Sequence, residues 1–296
     1  MHTIKHTQRQ SAPRSLDAVR HLTPRGRPVW SHACTWDELA VLFALPASAR
    51  SELDLAPGWM ERWTTTCRFD GVEVTRPLRE LAEMSTSGWE PVRRFSWRTR
   101  QRHRPGLQYL VSTGRHHGFE SLEEARLLLA LDFAAGLLDL VSQPFRMRFS
   151  TRDGWRGHTP DFFVLTAAGT WLLDVRPEGR VKEDDVPGFA ATAEAALACG
   201  WRYGVVTGWR AHVTTTLDTL SSQRRRLSDP LLVQTSLLRA AALGPRPFGE
   251  LVEATAVAPV ARAHLLHLLW HRRLGIDLGV PLTDATMVQP IRGSST

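Results

Sequence analysis

The chain has 296 residues, of which 43% are hydrophobic and 23% charged, a balance that excludes a disordered protein and is typical of a globular one long enough for two domains. The formal net charge of +7 and the isoelectric point near 10.2 favour an anionic partner, of which nucleic acid is the commonest. Three dispersed cysteines without a CxxC pair argue against a disulfide scaffold and a cysteine-based zinc site. No apolar run is long enough for a membrane span or a signal core, so the sequence predicts a cytoplasmic protein without a membrane partner.

The first 30 residues are polar and contain three prolines, which predicts a flexible arm. Residues 31–104 are predicted to form a helical accessory region in which two or three short helices surround a hairpin-like piece, TTTCRFDGVEVTRPL. This region ends in the arginine-rich run RRFSWRTRQRHRPG. The run is either a solvated linker or a nucleic-acid arm, whose phosphate-binding residues would be Arg98, Arg100, Arg102 and Arg104.

The central block, residues 105–215, alternates helical and strand patterns. GFESLEEARLLLALDFAAGLLDL predicts one helix with Ser121 at its N-cap and Glu124 completing a capping box. QPFRMRFS, HTPDFFVL and TWLLDVRP predict three antiparallel strands, the last two joined by the turn TAAG. DVPGFAATAEAALACG predicts a second helix, and RYGVVTG predicts a strand parallel to its neighbour. The order predicts an α/β core with a mixed sheet flanked by helices.

Residues 228–290 have a different pattern. SDPLLVQTSLLRAAAL, RPFGELVEAT and PVARAHLLHLLWHRR predict three helices, and short apolar strands follow, which together indicate a winged-helix-like domain. Three histidines of the third helix have i, i+3, i+7 spacing: His264, His267 and His271. Without an evident fourth zinc ligand, a polar helix stripe is the favoured interpretation. The third helix could enter a major groove or face another protein.

Two aspartates stand on the strands of the predicted hairpin. Asp161 precedes FFVL and Asp174 closes WLLD, so the short turn can bring both carboxylates to one Mg²⁺ ion. Arg176 lies two residues beyond Asp174 on the same strand face and can hold a phosphate. Glu124 is the best candidate for a third carboxylate, from the upstream helix. Such a set fits phosphodiester hydrolysis by a metal-activated water.

Each of these residues also has a purely structural interpretation. Glu124 can be only the capping-box partner of Ser121, and Asp161 can belong to a turn. Asp174 can form an ion pair at the sheet edge. Gln143 and His158 can orient water or contact phosphate, although a glutamine in a strand ladder and a histidine at a strand end are commoner.

The pattern of a helix glutamate, then PD, then (D/E)xK on a hairpin resembles the restriction-endonuclease-like nucleases. FESLEEARLLLALDF, SQPFRMRF and HTPDFFVLTAAGTWLLDVRP closely resemble the TnsA-like endonuclease subunit of heteromeric transposases, over residues 105–208. The resemblance implies a restriction-endonuclease-like PD-(D/E)xK domain with Mg²⁺, or Mn²⁺ in its place, as cofactor. It also implies that the catalytic residues are Glu124, Asp161, Asp174 and Arg176, the first three being metal ligands.

The resemblance further implies that the chain nicks one strand at transposon ends. Its partners would be double-stranded DNA, an integrase-like DDE transposase subunit and an AAA+ ATPase regulator. The chain departs from the family at Arg176, where the family has lysine, because arginine keeps the charge but cannot release a proton. Two alternatives stay open: an inactive DNA-binding or adaptor protein on a nuclease fold, and a stand-alone restriction or repair nuclease.

Overall fold

The computed structural model describes residues 27–84, 88–93 and 105–291. Its helices are α1 (Trp36–Leu39), α2 (Trp59–Arg62), α3 (Leu122–Phe133), α4 (Val186–Ala198), α5 (Val213–Ser221), α6 (Val233–Ala242), α7 (Phe248–Glu253) and α8 (Ala258–Trp270). Its strands are β1 (Ala40–Leu42), β2 (Thr64–Phe69), β3 (Val72–Pro77), β4 (Trp89–Glu90), β5 (Gly106–Leu110), β6 (Arg115–Phe119), β7 (Leu137–Ser142), β8 (Phe145–Thr151), β9 (Gly154–His158), β10 (Phe162–Thr166), β11 (Gly169–Val175), β12 (Arg202–Trp209), β13 (Arg246–Pro247), β14 (Leu274–Gly275) and β15 (Met287–Pro290). The chain is therefore mixed α/β, as predicted.

The central sheet has the strand order β1-β12-β11-β10-β7. Strands β10 and β11 form the predicted antiparallel hairpin, and β12 runs parallel to β11 with Asp174 opposite Val205, so both predictions are confirmed. The parallel connection passes through α4, whose small residues Ala191, Ala195 and Ala196 are fully buried and allow close packing on the sheet. Helix α3 packs on the opposite sheet face.

The predicted helix over GFESLEEARLLLALDFAAGLLDL was wrong in its second half. Helix α3 ends at Phe133, and Gly136 takes a left-handed backbone conformation with φ 97° that most residues disfavour. The following residues, LLDLVS, form β7 and pair with β10. A periodic apolar run does not by itself distinguish a helix from a buried strand, which explains the error.

The prediction that QPFRMRFS pairs within the same sheet was also wrong. Strand β8 pairs with β2 and β9 in a second sheet of order β3-β2-β8-β9, with β4 alongside β2. The apolar face of β8 carries Phe145, Met147 and Phe149, and it packs in one cluster with Trp63 and α4. The second sheet therefore closes the molecule over one side of the central sheet.

The N-terminal accessory region is built into both sheets. Its predicted short helices and hairpin are present as α1, α2 and the β2–β3 pair, and β1 adds a strand to the central sheet beside β12. Residues 27–30 end the predicted arm, and there the carbonyl of Val29 accepts a hydrogen bond of 2.8 Å from Leu278 N. The rest of that arm, residues 1–26, lies outside the described residues.

The C-terminal module has the order α6, β13, α7, α8, β14, β15 and a sheet of order β13-β15-β14. Helix α8 is its centre: Leu265, Leu268 and Leu269 are almost fully buried, and Trp270 meets Phe133 of α3 with ring centroids 5.3 Å apart. No helix in the described part of the chain has the length and apolar content needed to cross a membrane.

The histidine stripe of α8 is bound by the chain itself. His267 Nδ1 and His271 Nε2 meet the carbonyls of Gln223 and Arg224 at 2.8 and 3.1 Å. His264 is buried, and Gln234 Nε2 donates to its Nδ1 at 3.1 Å. His267 and His271 therefore face the connection between α5 and α6, and His264 faces α6.

Candidate active site

A cavity of about 930 Å³ opens where the start of α3, the ends of β10 and β11, and the β8–β9 hairpin meet. Six of the residues singled out from the sequence line this cavity: Glu124, Gln143, His158, Asp161, Asp174 and Arg176. They come from positions spread over 53 residues of chain, so the fold and not local sequence brings them together.

Glu124 occupies the third position of α3, and its N–H donates to the N-cap Ser121 hydroxyl at 3.2 Å, so the predicted N-cap is confirmed, whereas the reciprocal bond of a capping box, from Ser121 N to Glu124, is replaced by one from Glu120 N. Its Oε2 accepts from Glu120 N at 2.8 Å, and its Oε1 accepts from the Ser121 hydroxyl at 2.8 Å. Burial, followed by repulsion from Glu120 and Asp174, raises the pKa of Glu124 despite these hydrogen bonds. The Glu124 carboxylate therefore both stabilises the start of α3 and lines the cavity.

Asp161 stands between Pro160 and the first residue of β10. Its Oδ2 accepts a 2.7 Å hydrogen bond from Val175 N at the end of the neighbouring strand. Burial raises the pKa of Asp161 well above its usual range, and the charges of Asp174 and Glu124 raise it further. Such mutual repulsion favours protonation of a carboxyl unless a cation neutralises the set.

Asp174 is 3% exposed and its carboxylate is held from two sides. His158 Nε2 lies 3.1 and 2.9 Å from its two oxygens, and the Tyr203 hydroxyl donates to Oδ2 at 2.6 Å. Burial alone would lower the pKa of His158, but the charge and hydrogen bond of Asp174 outweigh it and raise that pKa. The alternative interpretation of Asp174 as a surface ion pair at the sheet edge does not hold, because β12 pairs with β11 on that side and the contact of Asp174 with His158 is buried.

Tyr203 is the site residue that sequence reasoning missed. Burial, followed by the charge of Asp174, raises its pKa well above the usual value, so it acts as a hydrogen-bond donor. The sequence did contain a signal for this site residue: Tyr203 is one of two tyrosines in the chain and lies on a mostly apolar strand. Its partner depends on the parallel register, which puts Tyr203 opposite Leu172, two residues before Asp174 on the same face.

A second missed contact positions His158. Gly188 of α4 lies so close to the imidazole that a Cβ atom there would come within 3.1 Å of His158 Nδ1. The Phe189 ring packs edge-on against the same imidazole, with centroids 5.9 Å apart. The strand-end position predicted for His158 is confirmed, and its ring is also fixed against Asp174.

Arg176 lines the cavity and also forms an ion pair with Asp185. Its Nη2 lies 2.9 Å from Asp185 Oδ1, and its side chain is 44% exposed. The positive charge of Arg176 is near enough to Asp161 to lower the pKa of that carboxyl, though by less than burial raises it. Lys182, which is close to Arg176 in sequence, is exposed and does not line the cavity.

Gln143 follows β7 and lines the cavity, with 3% of its surface exposed. Its backbone N–H donates to the carbonyl of Asp161 at 2.7 Å, and its own carbonyl accepts from Val92 N at 3.0 Å. The predicted place in the strand ladder is therefore close to correct, since Gln143 stands one residue past the strand. Its side-chain Oε1 is buried and has no hydrogen-bond partner.

The donor chemistry of the cavity fits a hard divalent cation. Mg²⁺ prefers one or two carboxylates together with neutral oxygens and water, and the residues lining the cavity include Asp161, Asp174, Glu124 and Gln143. Across the described residues, no group of three or more His, Cys, Asp or Glu side chains has the arrangement of a metal site.

Basic residues surround the acids. Arg93, Arg146 and Arg180 line the cavity, and Arg146 also pairs with Glu73 on the second sheet. On the adjacent hairpin the guanidinium of Arg148 lies 4.4 Å from the ring centroid of the exposed Trp155. The four arginines predicted to bind DNA, Arg98, Arg100, Arg102 and Arg104, lie outside the described residues.

No protein-family model matches the sequence, and no curated protein matches it significantly. What the cavity does must therefore be argued from its own residues.

Proposed function

We propose that this chain is a divalent-cation-dependent DNA endonuclease with a restriction-endonuclease-like core, serving as the TnsA-like nicking subunit of a heteromeric transposase. One observation carries the proposal. Glu124, Asp161, Asp174 and Arg176, each singled out from the sequence, line a single open cavity. Buried carboxylates of like charge with raised pKa values, beside an arginine, are typical of a functional site and unusual in a core.

The surrounding fold supports the same assignment. Apart from β8 and β9, which belong to the second sheet, the core consists of α3, the antiparallel strands β7, β10 and β11, the crossover helix α4, and β12 parallel to β11. A winged-helix-like assignment of the C-terminal module is supported by its three helices, with β13 between the first two and a β14–β15 pair at the end. The net charge of +7 agrees with a DNA partner.

Asp161, Asp174 and Glu124 would hold Mg²⁺, or Mn²⁺ in its place, and the Gln143 oxygen lines the same cavity. A cation bound there supplies positive charge that stabilises the phosphate and lowers the pKa of water. In the hydrolysis a water oxygen bonds to phosphorus, one backbone P–O bond breaks, and the leaving oxygen takes up a proton. Phosphate and hydroxyl ends result.

The protein side chains would position the reactants. Arg176 can bind a phosphate oxygen through the part of its guanidinium not bonded to Asp185. His158 and Tyr203 fix the Asp174 carboxylate in one orientation. Arg93 and Arg180 at the cavity can bind flanking backbone phosphates.

The test is nicking of supercoiled plasmid carrying transposon ends, with the integrase-like partner present, in Mg²⁺ or Mn²⁺. Wild type should nick, and Asp161→Asn should not. Asp132→Asn is the matched control: Asp132 is also a buried aspartate, but it accepts hydrogen bonds from Val111 N and Ser112 N and does not line the cavity. Equal nicking by wild type and Asp161→Asn would rule out this site as the nuclease centre.

The second candidate function is a non-catalytic DNA-binding adaptor. Arg176 favours it, because this arginine cannot release a proton and is already paired with Asp185 at 2.9 Å. Arg176→Lys separates the two functions. Nicking by wild type supports the nuclease, and nicking only by Arg176→Lys identifies an inactivated enzyme. DNA binding with no nicking by either protein identifies the adaptor.

The same assay addresses the stand-alone restriction or repair nuclease. A nuclease of that kind would cut without the integrase-like subunit and without regard to transposon ends. Dependence of cutting on that subunit and on end-bearing DNA supports the transposase assignment.

A further inference from the structure

Gln143 differs from every other polar residue of the cavity in having an unused buried acceptor. The side chain is 97% buried, as its exposed fraction is 3%, and Oε1 has no hydrogen-bond partner. By contrast, Asp161 accepts from Val175 N, and both oxygens of Glu124 and of Asp174 accept hydrogen bonds. A buried acceptor without a donor is destabilising unless something else binds it.

The backbone of Gln143 is also in a disfavoured conformation. Its φ is 47°, in the left-handed region, and the next residue, Pro144, restricts it further. Two hydrogen bonds hold this conformation, one to the carbonyl of Asp161 and one from Val92 N. The first of them ties Gln143 directly to the residue that begins the catalytic hairpin. Strain and an unsatisfied group at the same position are characteristic of a functional site.

We propose that the side-chain amide oxygen of Gln143 is a ligand of the divalent cation in the acid cavity. The inference rests on the proposed nuclease function and adds a neutral ligand to its carboxylates. An amide oxygen is an accepted ligand of hard divalent cations, and it adds no negative charge to a cavity that already holds three facing carboxylates.

Mn²⁺ binding by the purified full chain without DNA provides the test, with free Mn²⁺ measured by electron paramagnetic resonance and Mg²⁺ added as competitor. Gln143→Gly is the informative variant because glycine accepts the left-handed backbone and removes the oxygen. We expect its melting temperature without cation to be unchanged or raised, and its Mn²⁺ dissociation constant to rise about tenfold or more.

Asp70→Gly is the matched control. Asp70 also has a left-handed backbone, with φ 46°, but it stands in the β2–β3 turn and is not among the residues lining the cavity. This variant should keep wild-type Mn²⁺ affinity. Gln143→Glu, which keeps an oxygen at the same place and adds a charge, should bind Mn²⁺ at least as tightly as wild type.

The outcomes separate this inference from the function on which it rests. If Gln143→Gly binds Mn²⁺ like wild type while Asp161→Asn does not bind, Gln143 is not a ligand and the cation site stands. If Gln143→Gly lowers the melting temperature without changing affinity, or Gln143→Glu weakens binding, the role of Gln143 is structural. If wild type itself binds neither Mn²⁺ nor Mg²⁺, the proposed function fails together with this inference.

Discussion

The acid cavity and the C-terminal module both bury titratable side chains, and they do so in opposite ways. In the C-terminal module the histidines have partners of neutral or opposite charge: His267 bonds to the carbonyl of Gln223, and His264 lies 3.7 Å from Asp229. In the cavity, the like charge of Asp174 raises the pKa of both Asp161 and Glu124, although His158 and Arg176 compensate part of the negative charge. The difference shows that burial of a polar residue is not the functional signal. Carboxylates that line one cavity and raise one another's pKa values are that signal.

The largest change in stability should come from the C-terminal module. Leu268→Ala removes a side chain that is 1% exposed at the centre of the module and should lower the free energy of unfolding by roughly 2–5 kcal/mol. Denaturant unfolding measures the loss. Metal-dependent nicking per folded molecule should stay near the wild-type value, and its disappearance would show that the two regions are functionally coupled.

Glu124→Gln should have the opposite effects, lowering the rate of nicking while leaving the stability nearly unchanged. Glutamine can keep the hydrogen bonds from Ser121 and Glu120 N but loses the charge, so nicking should fall by roughly 100-fold, which is about 2.7 kcal/mol, with little change in unfolding free energy. Single-turnover nicking rates measure the effect. Glu123→Gln is the matched control, because Glu123 also borders the cavity but its carboxylate is bonded to Trp209 and Arg126. A larger loss of nicking for Glu123→Gln than for Glu124→Gln would show that Glu124 is not the third catalytic acid.

Tyr203→Phe removes the donor that holds Asp174 and leaves a buried carboxylate one hydrogen bond short. We expect the free energy of unfolding to fall by about 1–3 kcal/mol and nicking to fall more than the loss of folded protein explains. Thermal melts with and without Mg²⁺ measure the first effect. Tyr109→Phe, at the other tyrosine, should change neither quantity. If Tyr203→Phe melts and nicks like wild type, the Tyr203 hydrogen bond does not position Asp174.

The smallest expected effect concerns Cys67, where the pKa shift comes from burial and not from neighbouring charges. Burial raises the pKa of its thiol to about 12. Because the folded-state pKa lies above the ordinary value of about 8.5, the thiol's contribution to stability is complete below that value and is lost as the pH rises towards 12. Ellman's reagent should therefore label folded protein slowly at pH 8 and unfolded protein rapidly. Rapid labelling of Cys67 in the folded chain would contradict its burial.

Several parts of the fold and the site were predictable from the sequence because their determinants are local. The β10–β11 hairpin follows from its turn residues, and the start of α3 follows from the N-cap residue Ser121. The spacing of Asp161 and Asp174 along that hairpin was enough to predict that both reach one cavity. Each of these inferences needs only the geometry of neighbouring residues.

Other features depended on pairing between distant segments, which the sequence by itself did not determine. Nothing local tells β7 from the end of a helix, or assigns β8 to the second sheet, because that choice depends on burial against β2 and β10. The same is true of Tyr203 and Asp185, which reach Asp174 and Arg176 only through the parallel register and the turn after β11. The sequence determined which side chains could carry the chemistry. The tertiary structure decided what surrounds them, because burial and charge compensation depend on contacts across the whole chain.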